Sequence, residues 1–278
     1  MERTNQGRIA TLPNSVWRVL GRVGETAING GRLAVYLTSV MCAVVVLTVQ
    51  PRRWLRTTRQ VFARQLLYMG VNSIALVGFI ASLVGILVVM QAQLWLGKIG
   101  QTGWIGPLLV VVIIRQLAPL LTNLIMIIRN GSAMTADLAT MTVTGKVRML
   151  DAQGIDPLIY LVMPRVAAMV VSTFCLTLLF IVFSFVSGYL FSFALGLRIV
   201  APEIFLNQVL RAFELKDLFN LLVTGLIPPL VSASICCNEG LSVSAANTAV
   251  PLATRRALSY SVIGLFLISA AAAILTYL

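Results

Sequence analysis

Residues 66–96 read LLYMGVNSIALVGFIASLVGILVVMQAQLWL, a run that contains no charged side chain. A helix needs about 20 mostly apolar residues to cross a hydrocarbon core of about 30 Å, with its backbone polar groups satisfied internally. Four further apolar stretches follow along the chain, at residues 105–128, 164–195, 218–237 and 257–278. The sequence therefore predicts an all-α integral membrane protein with five transmembrane helices.

The composition of the whole chain supports this fold class. Of its 278 residues, 59% are hydrophobic and 11% are charged, and the mean hydropathy is +0.94. A soluble domain has roughly 25% charged residues, so a soluble protein is excluded. The net charge of +12 comes from basic residues beside the apolar runs, where they orient a membrane protein and meet anionic headgroups. We therefore expect membrane lipids as partners, and no nucleic acid.

Basic residues are distributed unequally between the two faces of the predicted bundle. The connections before the first span, between the second and third, and between the fourth and fifth hold eleven arginines and lysines, whereas the other two hold four. The positive-inside rule places the more basic face in the cytoplasm. We expect a cytoplasmic N-terminus and a C-terminus outside. The first 31 residues lack an apolar core followed by a cleavage site, so we expect the N-terminus to be retained.

Residues 33–49, LAVYLTSVMCAVVVLTV, are at the short limit for a span. Basic residues flank them on both sides, so a span here would carry one basic flank across the membrane. We favour a helix that lies in the cytoplasmic interface or enters the bilayer part way, and a sixth span stays the alternative. The chain then divides into an N-terminal cytoplasmic or interfacial region, 1–65, and a transmembrane domain, 66–278.

The motifs of several catalytic sites are missing from the sequence. The chain has no histidine, and its four cysteines lack metal-ligand spacing, so we expect no metal and no cofactor. The segment TGKV at 144–147 is not a phosphate-binding loop, because Val147 stands where that loop needs Ser or Thr. We therefore expect no ATPase site in this chain and disfavour an enzyme.

Arg115 lies deep in the second predicted span, in VVIIRQLAPL at 111–120. A central arginine costs about 2.5–3.5 kcal/mol on insertion scales and usually faces protein or a watery cavity. Two interpretations stay open. In one, Arg115 and Gln116 contact an anionic headgroup, because guanidinium matches phosphate geometry; in the other, Arg115 bonds to carbonyls freed by Pro119 or snorkels.

No carboxylate is expected beside Arg115. The acidic residues near the spans fall in predicted connections, with Asp137, Asp151 and Asp156 in a cytoplasmic one and Glu203, Glu214 and Asp217 in an external one. No carboxylate pair is therefore expected within the bilayer.

Four stretches resemble the MlaE-type (YrbE) permease family, the membrane subunit of bacterial lipid-transporting ABC systems. They are RQLAP (115–119), RNGSAMTADLATMTVTGKVRMLDAQGIDPLIYLVMPR (129–165) and, more loosely, ARQLLYMGVNS (63–73) and NEGLSVSAANTAVPLATRRAL (238–258). The resemblance implies a bacterial inner-membrane protein with an interfacial N-terminal helix and five spans. It also implies a homodimer of permeases, cytoplasmic ABC ATPase subunits that use the ATP, and a periplasmic MCE-domain lipid-binding partner.

The resemblance also explains the polar stretch MTVTGKVRMLDAQGIDP at 141–157. In the family, this connection is a coupling helix that seats in a groove of the ATPase, which implies a coupling segment over 133–157. We expect Asp156-Pro157 to end the helix and start the return to the membrane. The candidate ATPase contacts are Ala136, Asp137, Met141, Lys146, Val147, Arg148, Met149 and Leu150. A solvated loop that packs on its own bundle stays the alternative.

The resemblance further implies a lipid cavity between two copies, lined by the first, second and fifth spans. The candidate cavity residues are Leu83, Leu87, Met90, Leu94, Arg115 and Gln116. The sequence departs from the family where Gln116 and Ala118 replace the usual Glu and Gly, and where the last span lacks the usual Asp. Compared with the family, these departures leave Arg115 without an obvious counter-ion. A channel or carrier without an ATPase, and a non-transporting assembly scaffold, stay as alternatives.

Overall fold

The computed structural model describes residues 56–100, 102–194, 202–243 and 249–277. Within these ranges the regular structure is helical, with a short 3₁₀ turn at Thr102–Trp104. The helices are α1 (Arg56–Ile99), α2 (Ile105–Val143), α3 (Lys146–Ala152), α4 (Leu158–Ala194), α5 (Pro202–Ala212), α6 (Leu215–Leu241) and α7 (Ala249–Tyr277).

Five of the described helices, α1, α2, α4, α6 and α7, are long and apolar enough to cross a membrane. This confirms the prediction of an all-α membrane protein with five transmembrane helices. The interfacial helix predicted over 33–49 lies outside the described residues, and the division into 1–65 and 66–278 stays a prediction.

The second transmembrane helix is much longer than its apolar run. α2 continues past residue 128, without a turn, as far as Val143. Its hydrogen bonding changes twice, because π-helical segments at Val110–Leu117 and Ile127–Gly131 interrupt the α-helix. A π-helical segment accommodates an extra residue and is frequent at functional sites. α2 therefore continues as one helix from Ile105 to Val143, with π-helical segments within it.

α1 and α4 pack against each other along most of their length. A Cβ atom on Gly85 would overlap the carbonyl of Ser184, and one on Gly188 would lie 2.7 Å from the Gly85 carbonyl oxygen. The Ser184 hydroxyl donates to the Ala81 carbonyl at 2.9 Å. Small residues thus let the two backbones approach closely, as they do in other membrane helix pairs.

α6 contacts α2, α4 and α7. α5 packs against the first turn of α2. A Cβ atom on Gly106 would lie 2.8 Å from the Gln208 carbonyl oxygen, and Val209 is buried in one cluster with Ile105 and Leu109. The external connection predicted to hold the acidic residues is therefore partly helical.

Replacing Gly85 with alanine is expected to destabilise the bundle. The added methyl group meets backbone of α4 that side-chain rotation cannot move away, and overpacking of this kind costs about 1–3 kcal/mol. The midpoint of thermal unfolding in detergent measures the effect. Gly70→Ala is the matched control on the same helix, because its methyl group would lie at an ordinary 3.7 Å from the Ser172 Cβ. Equal midpoints for the two variants would contradict the close approach.

Candidate functional site

Arg115 forms an ion pair with Asp217 of α6. Its Nε atom lies 2.6 Å from Oδ1 of Asp217, and its Nη2 atom donates to Oδ2 at 3.2 Å. The carboxylate is fully buried, whereas 21% of the arginine side chain is exposed. A two-point contact between guanidinium and carboxylate is among the strongest polar contacts in proteins and fixes the orientation of both groups. It ties α2 to the start of α6.

Asp217 also caps the helix on which it lies. The backbone N–H of Glu214 donates to Oδ2 of Asp217 at 2.9 Å, and the side chain of Glu214 accepts a hydrogen bond from the first turn in return. This reciprocal arrangement satisfies N–H groups that have no partner within the helix. One carboxylate therefore both starts α6 and neutralises Arg115.

Two asparagines compensate for prolines on the opposite helix. Pro119 lacks the N–H that would donate to the carbonyl four residues earlier, that of Arg115, and Nδ2 of Asn220 donates to this oxygen at 3.2 Å. Pro228 likewise leaves the carbonyl of Thr224 without its helical donor, and Nδ2 of Asn123 donates to it at 3.1 Å. α2 and α6 thus each supply the donor that the other lacks.

The expectation that Arg115 has no counter-ion is wrong. Asp217 was assigned to an external connection, but it is buried in the first turn of α6. Arg115 lies near the beginning of α2, which extends to Val143, and is level with the beginning of α6. Nδ2 of Asn220 donates to the carbonyl that Pro119 leaves without a helical donor. One interpretation of the sequence had Arg115 bonding to such a carbonyl, but its guanidinium binds a carboxylate instead.

A narrow cleft lies beside the ion pair. Gln116 is exposed, and the cleft is lined by Arg115, Gln116, Pro119, Leu120, Asn220, Thr224, Ser269 and Ala273. Its volume is about 10 Å³, which has room for about one water. This cleft of a single copy therefore does not accommodate a lipid.

The candidate cavity residues on α1 point away from the α1–α4 contact. Leu83, Leu87 and Leu94 are exposed and Met90 is half-buried. The opposite face of α1, with Val77, Ala81, Gly85 and Val89, is buried against the rest of the bundle. The structure brings neither Leu83 nor Leu87 into the cleft beside Arg115, so their role in a cavity stays a prediction.

The candidate coupling segment consists of two differently placed parts. Ala136, Asp137 and Met141 lie on the last turns of α2, whose inner face, including Met134 and Leu138, is buried. The other candidates, Lys146, Val147, Arg148, Met149 and Leu150, form the separate helix α3.

A glycine with positive φ stands at each end of α3. Gly145 (φ 74°) separates it from α2, and Gly154 (φ 75°) follows its last turn. The N–H of Gly154 donates to Asp151 and that of Ile155 to Leu150, which is the Schellman arrangement that ends helices at glycine. Lys146, Arg148 and Met149 are exposed, and Val147 and Leu150 are half-buried. We call residues 144–154 the elbow.

The sequence predicted that Asp156-Pro157 would end the helix of the coupling segment, and this prediction is wrong. Gly154 already ends it, and Asp156 instead begins α4, where its Oδ1 atom accepts a hydrogen bond from the N–H of Leu158 at 2.9 Å. Pro157 fits the first helical position, because its missing N–H has no partner there in any helix. The return to the membrane thus begins two residues after the elbow.

The sequence did carry signals for the residues that were missed. Glu214 and Asp217 have the three-residue spacing of a capping box directly before an apolar run, which would have started the fourth span before residue 217. The roles of Asn123 and Asn220 follow from the prolines on the facing helix, which a single helix pattern does not reveal.

Comparison with known proteins agrees with this architecture. The profile of the family described as Permease MlaE matches residues 62–276. A probable ABC transporter permease protein of Synechocystis sp. is 32% identical over 212 residues, which cover 76% of this chain and 80% of the relative. A probable ABC transporter permease protein of Rickettsia typhi is 31% identical over 178 residues, or 64% of this chain and 68% of the relative.

A plant protein is also similar. The chloroplastic protein TRIGALACTOSYLDIACYLGLYCEROL 1 of Arabidopsis thaliana is 27% identical over 205 residues, which cover 73% of this chain and 58% of the relative. The five apolar helices and these matches define a multi-pass membrane permease, the transport subunit of an ABC system. The chain belongs to the MlaE permease family, which confirms the resemblance seen in the sequence.

The bond from Asn123 to the carbonyl opposite Pro228 is expected to disappear in Asn123→Ala. Interhelical hydrogen bonds in membrane proteins average about 0.6 kcal/mol and reach about 1.7, so we expect a loss of about 1 kcal/mol. Pro228→Ala restores the helical N–H, and Asn123→Ala should then cost less in that background. Unfolding in mixed micelles measures the stabilities of the wild type, the two single variants and the double variant. Asn72→Ala, at an exposed position, is the control. Additive losses would contradict the assignment.

Proposed function

We propose that this permease moves phospholipid or a similar lipid between the bacterial inner membrane and a periplasmic partner. A separate cytoplasmic ABC ATPase subunit binds and hydrolyses the ATP, and this chain needs no cofactor of its own. The observation that carries the proposal is the elbow, a short helix held between two positive-φ glycines at the end of an unbroken transmembrane helix.

The surface of the elbow suits a protein partner. Met149 is 65% exposed, and Lys146 and Arg148 on either side of it are also exposed. An exposed apolar side chain among charges is the pattern of an interface centre with a polar rim. Val147 and Leu150 turn the other way and are half-buried, so the elbow presents a defined face. We infer that this face seats on the ATPase.

The lipid pathway lies between two copies of the chain in this proposal. The cleft beside Arg115 has room for about one water, so a lipid needs a larger space than that cleft provides. α1 and α7 expose apolar faces, including Leu83 and Leu87 on α1 and Ile263 and Leu267 on α7. Apolar walls of this kind match acyl chains, and a second copy would enclose them.

A lipid substrate is supported by the family and by one relative. The Arabidopsis relative carries the name of a lipid, trigalactosyldiacylglycerol, in its own name. Arg115 remains partly exposed beside exposed Gln116, so both side chains are available at the external side for a headgroup. We propose that the ion pair with Asp217 holds Arg115 in position and that the headgroup contacts its exposed edge.

Topology and partners complete the proposal. The elbow and the N-terminus lie in the cytoplasm, and the C-terminus lies in the periplasm together with α5. A periplasmic MCE-domain protein exchanges lipid with the permease dimer on that side. α5 packs on the first turn of α2, so it is the described element that we expect nearest to this partner.

Met149→Glu is expected to release the ATPase. The substitution places a carboxylate in the centre of the proposed contact, and residues at such centres contribute about 2 kcal/mol or more. Affinity purification from native membranes should then recover about 30-fold less nucleotide-binding subunit. Gln153→Glu, also exposed at the end of α3, is the matched control and should retain it. A wild-type permease that carries no nucleotide-binding subunit would favour a channel, a carrier or a scaffold.

A photoreactive residue at position 87 is expected to label lipid in a nucleotide-dependent way. In the assembled transporter, ATP binding closes the ATPase pair and expels lipid from between the two copies. Labelling of phosphatidylglycerol by the residue at position 87 should therefore fall when ATP is added. Position 182 on α4 is the control, because Val182 is exposed but lies outside the proposed cavity walls. The same response at both positions would argue against a cavity at α1.

A further inference from the structure

We propose that a second site, at the cytoplasmic end of the bundle, binds a phosphate group, either of a lipid headgroup or free in the cytoplasm. The site is a cavity of about 280 Å³ between α1, α2 and α4. It is lined by Arg64, Gln65, Tyr68, Met69, Asn130, Ala133, Met134, Asp137 and Arg165. Ligand pockets run from about 300 to 1,000 Å³, so the volume suits a headgroup and not a whole lipid.

The proposal depends most on Arg165, a buried arginine with an unsatisfied nitrogen atom. Only 4% of this residue is exposed, and its Nη2 atom lies 3.4 Å from Oδ2 of Asp137. Its Nη1 atom is buried, and among the residues that the structure describes no hydrogen-bond acceptor reaches it. A buried charged donor without an acceptor is unfavourable and calls for an explanation such as a ligand. The Arg165 side chain lines the cavity.

The cavity wall is fixed before any ligand arrives. The Nδ2 atom of Asn130 donates to the carbonyl of Met69 at 3.2 Å and approaches the hydroxyl of Ser73 at 3.4 Å. These contacts join α2 to α1 on the floor of the cavity. A preformed wall lowers the ordering cost of binding.

The mouth of the cavity adds a second guanidinium. Arg64 is exposed on α1, and within the described ranges no hydrogen bond or ion pair engages it. Tyr68, which is also exposed, lies one turn further along the same helix. Two arginines then face one carboxylate, Asp137, so the cavity carries a net positive charge. Paired guanidinium groups match phosphate oxygens geometrically and favour an anion over a cation.

The surroundings favour the lipid as the source of the phosphate. Leu67 and Val71, on α1 beside the cavity, are 63% and 57% exposed. They would lie against acyl chains while the headgroup occupied the cavity. A free phosphate would use the guanidinium groups but not this apolar surface.

This site is separate from the proposed transport pathway. Arg115 lies near the external end of α2, whereas Asn130 and Asp137 lie towards its cytoplasmic end. The inference does not rest on the proposed function, because lipid binding here requires neither an ATPase nor a second copy. If the phosphate site failed its test, the amounts of ATPase expected with Met149→Glu and with its control, Gln153→Glu, would stay the same.

Native mass spectrometry of the purified full-length chain tests the proposal. The probes are dioleoylphosphatidylglycerol and dioleoylglycerol, which has the same chains without phosphate. We expect the first to bind more tightly, and Arg64→Ala to weaken it about fivefold, since hydrogen bonds to charged groups are the strong ones. Arg165→Lys, which keeps the charge but loses the planar fork, should weaken it similarly. Arg59→Ala removes an exposed arginine outside the cavity on the same helix and is the matched control.

Phosphorus NMR with inorganic phosphate separates the two sources. Phosphate that binds the wild-type chain but not Arg64→Ala, with no preference between the two lipids, would support a phosphate site filled from the cytoplasm. Binding of phosphatidylglycerol that Arg64→Ala weakens would support the lipid. Equal losses in Arg59→Ala and Arg64→Ala, or no binding of either probe, would overturn the proposal.

Discussion

The constraint on which this bundle depends is that a proline inside a membrane helix frees a backbone carbonyl that only protein can satisfy. α2 and α6 meet it together, because Asn220 bonds to the carbonyl opposite Pro119 and Asn123 bonds to the one opposite Pro228. Each bond requires the two helices to keep one axial register. The Arg115–Asp217 pair lies in the same α2–α6 contact, which we call the polar seam. This contact therefore sets the axial register of the two helices, neutralises Arg115 and caps the start of α6.

A different device joins α1 to α4. There the small residues Gly85, Ser184 and Gly188 bring the backbones into direct contact, and no charged pair takes part among these residues. Dispersion and hydroxyl-to-carbonyl bonds hold such a pair, since lipid offers no hydrophobic drive between helices. The bundle therefore combines one polar seam and one closely packed seam, and the polar seam lies beside the candidate headgroup contact.

The sequence predicted the five helices because an apolar run of span length has few alternatives in a membrane. It located the polar segment 141–157 through its charges and the family resemblance, but not the end of α2, because the run from residue 129 to Val143 contains many polar residues and is still helical. The sequence analysis placed Asp217 in a connection between two spans, because every carboxylate at the edge of an apolar run was assumed to lie in water. Pairing across helices decides such cases, and the linear order of residues does not encode it directly.

α2 has one further consequence through its length alone. An unbroken helix of 39 residues is about 58 Å long at 1.5 Å per residue. Each degree by which such a rod tilts about one end therefore shifts the other end by about 1 Å. Under the proposed coupling, a tilt of a few degrees about the elbow end would displace the opposite end of α2 by a few ångströms.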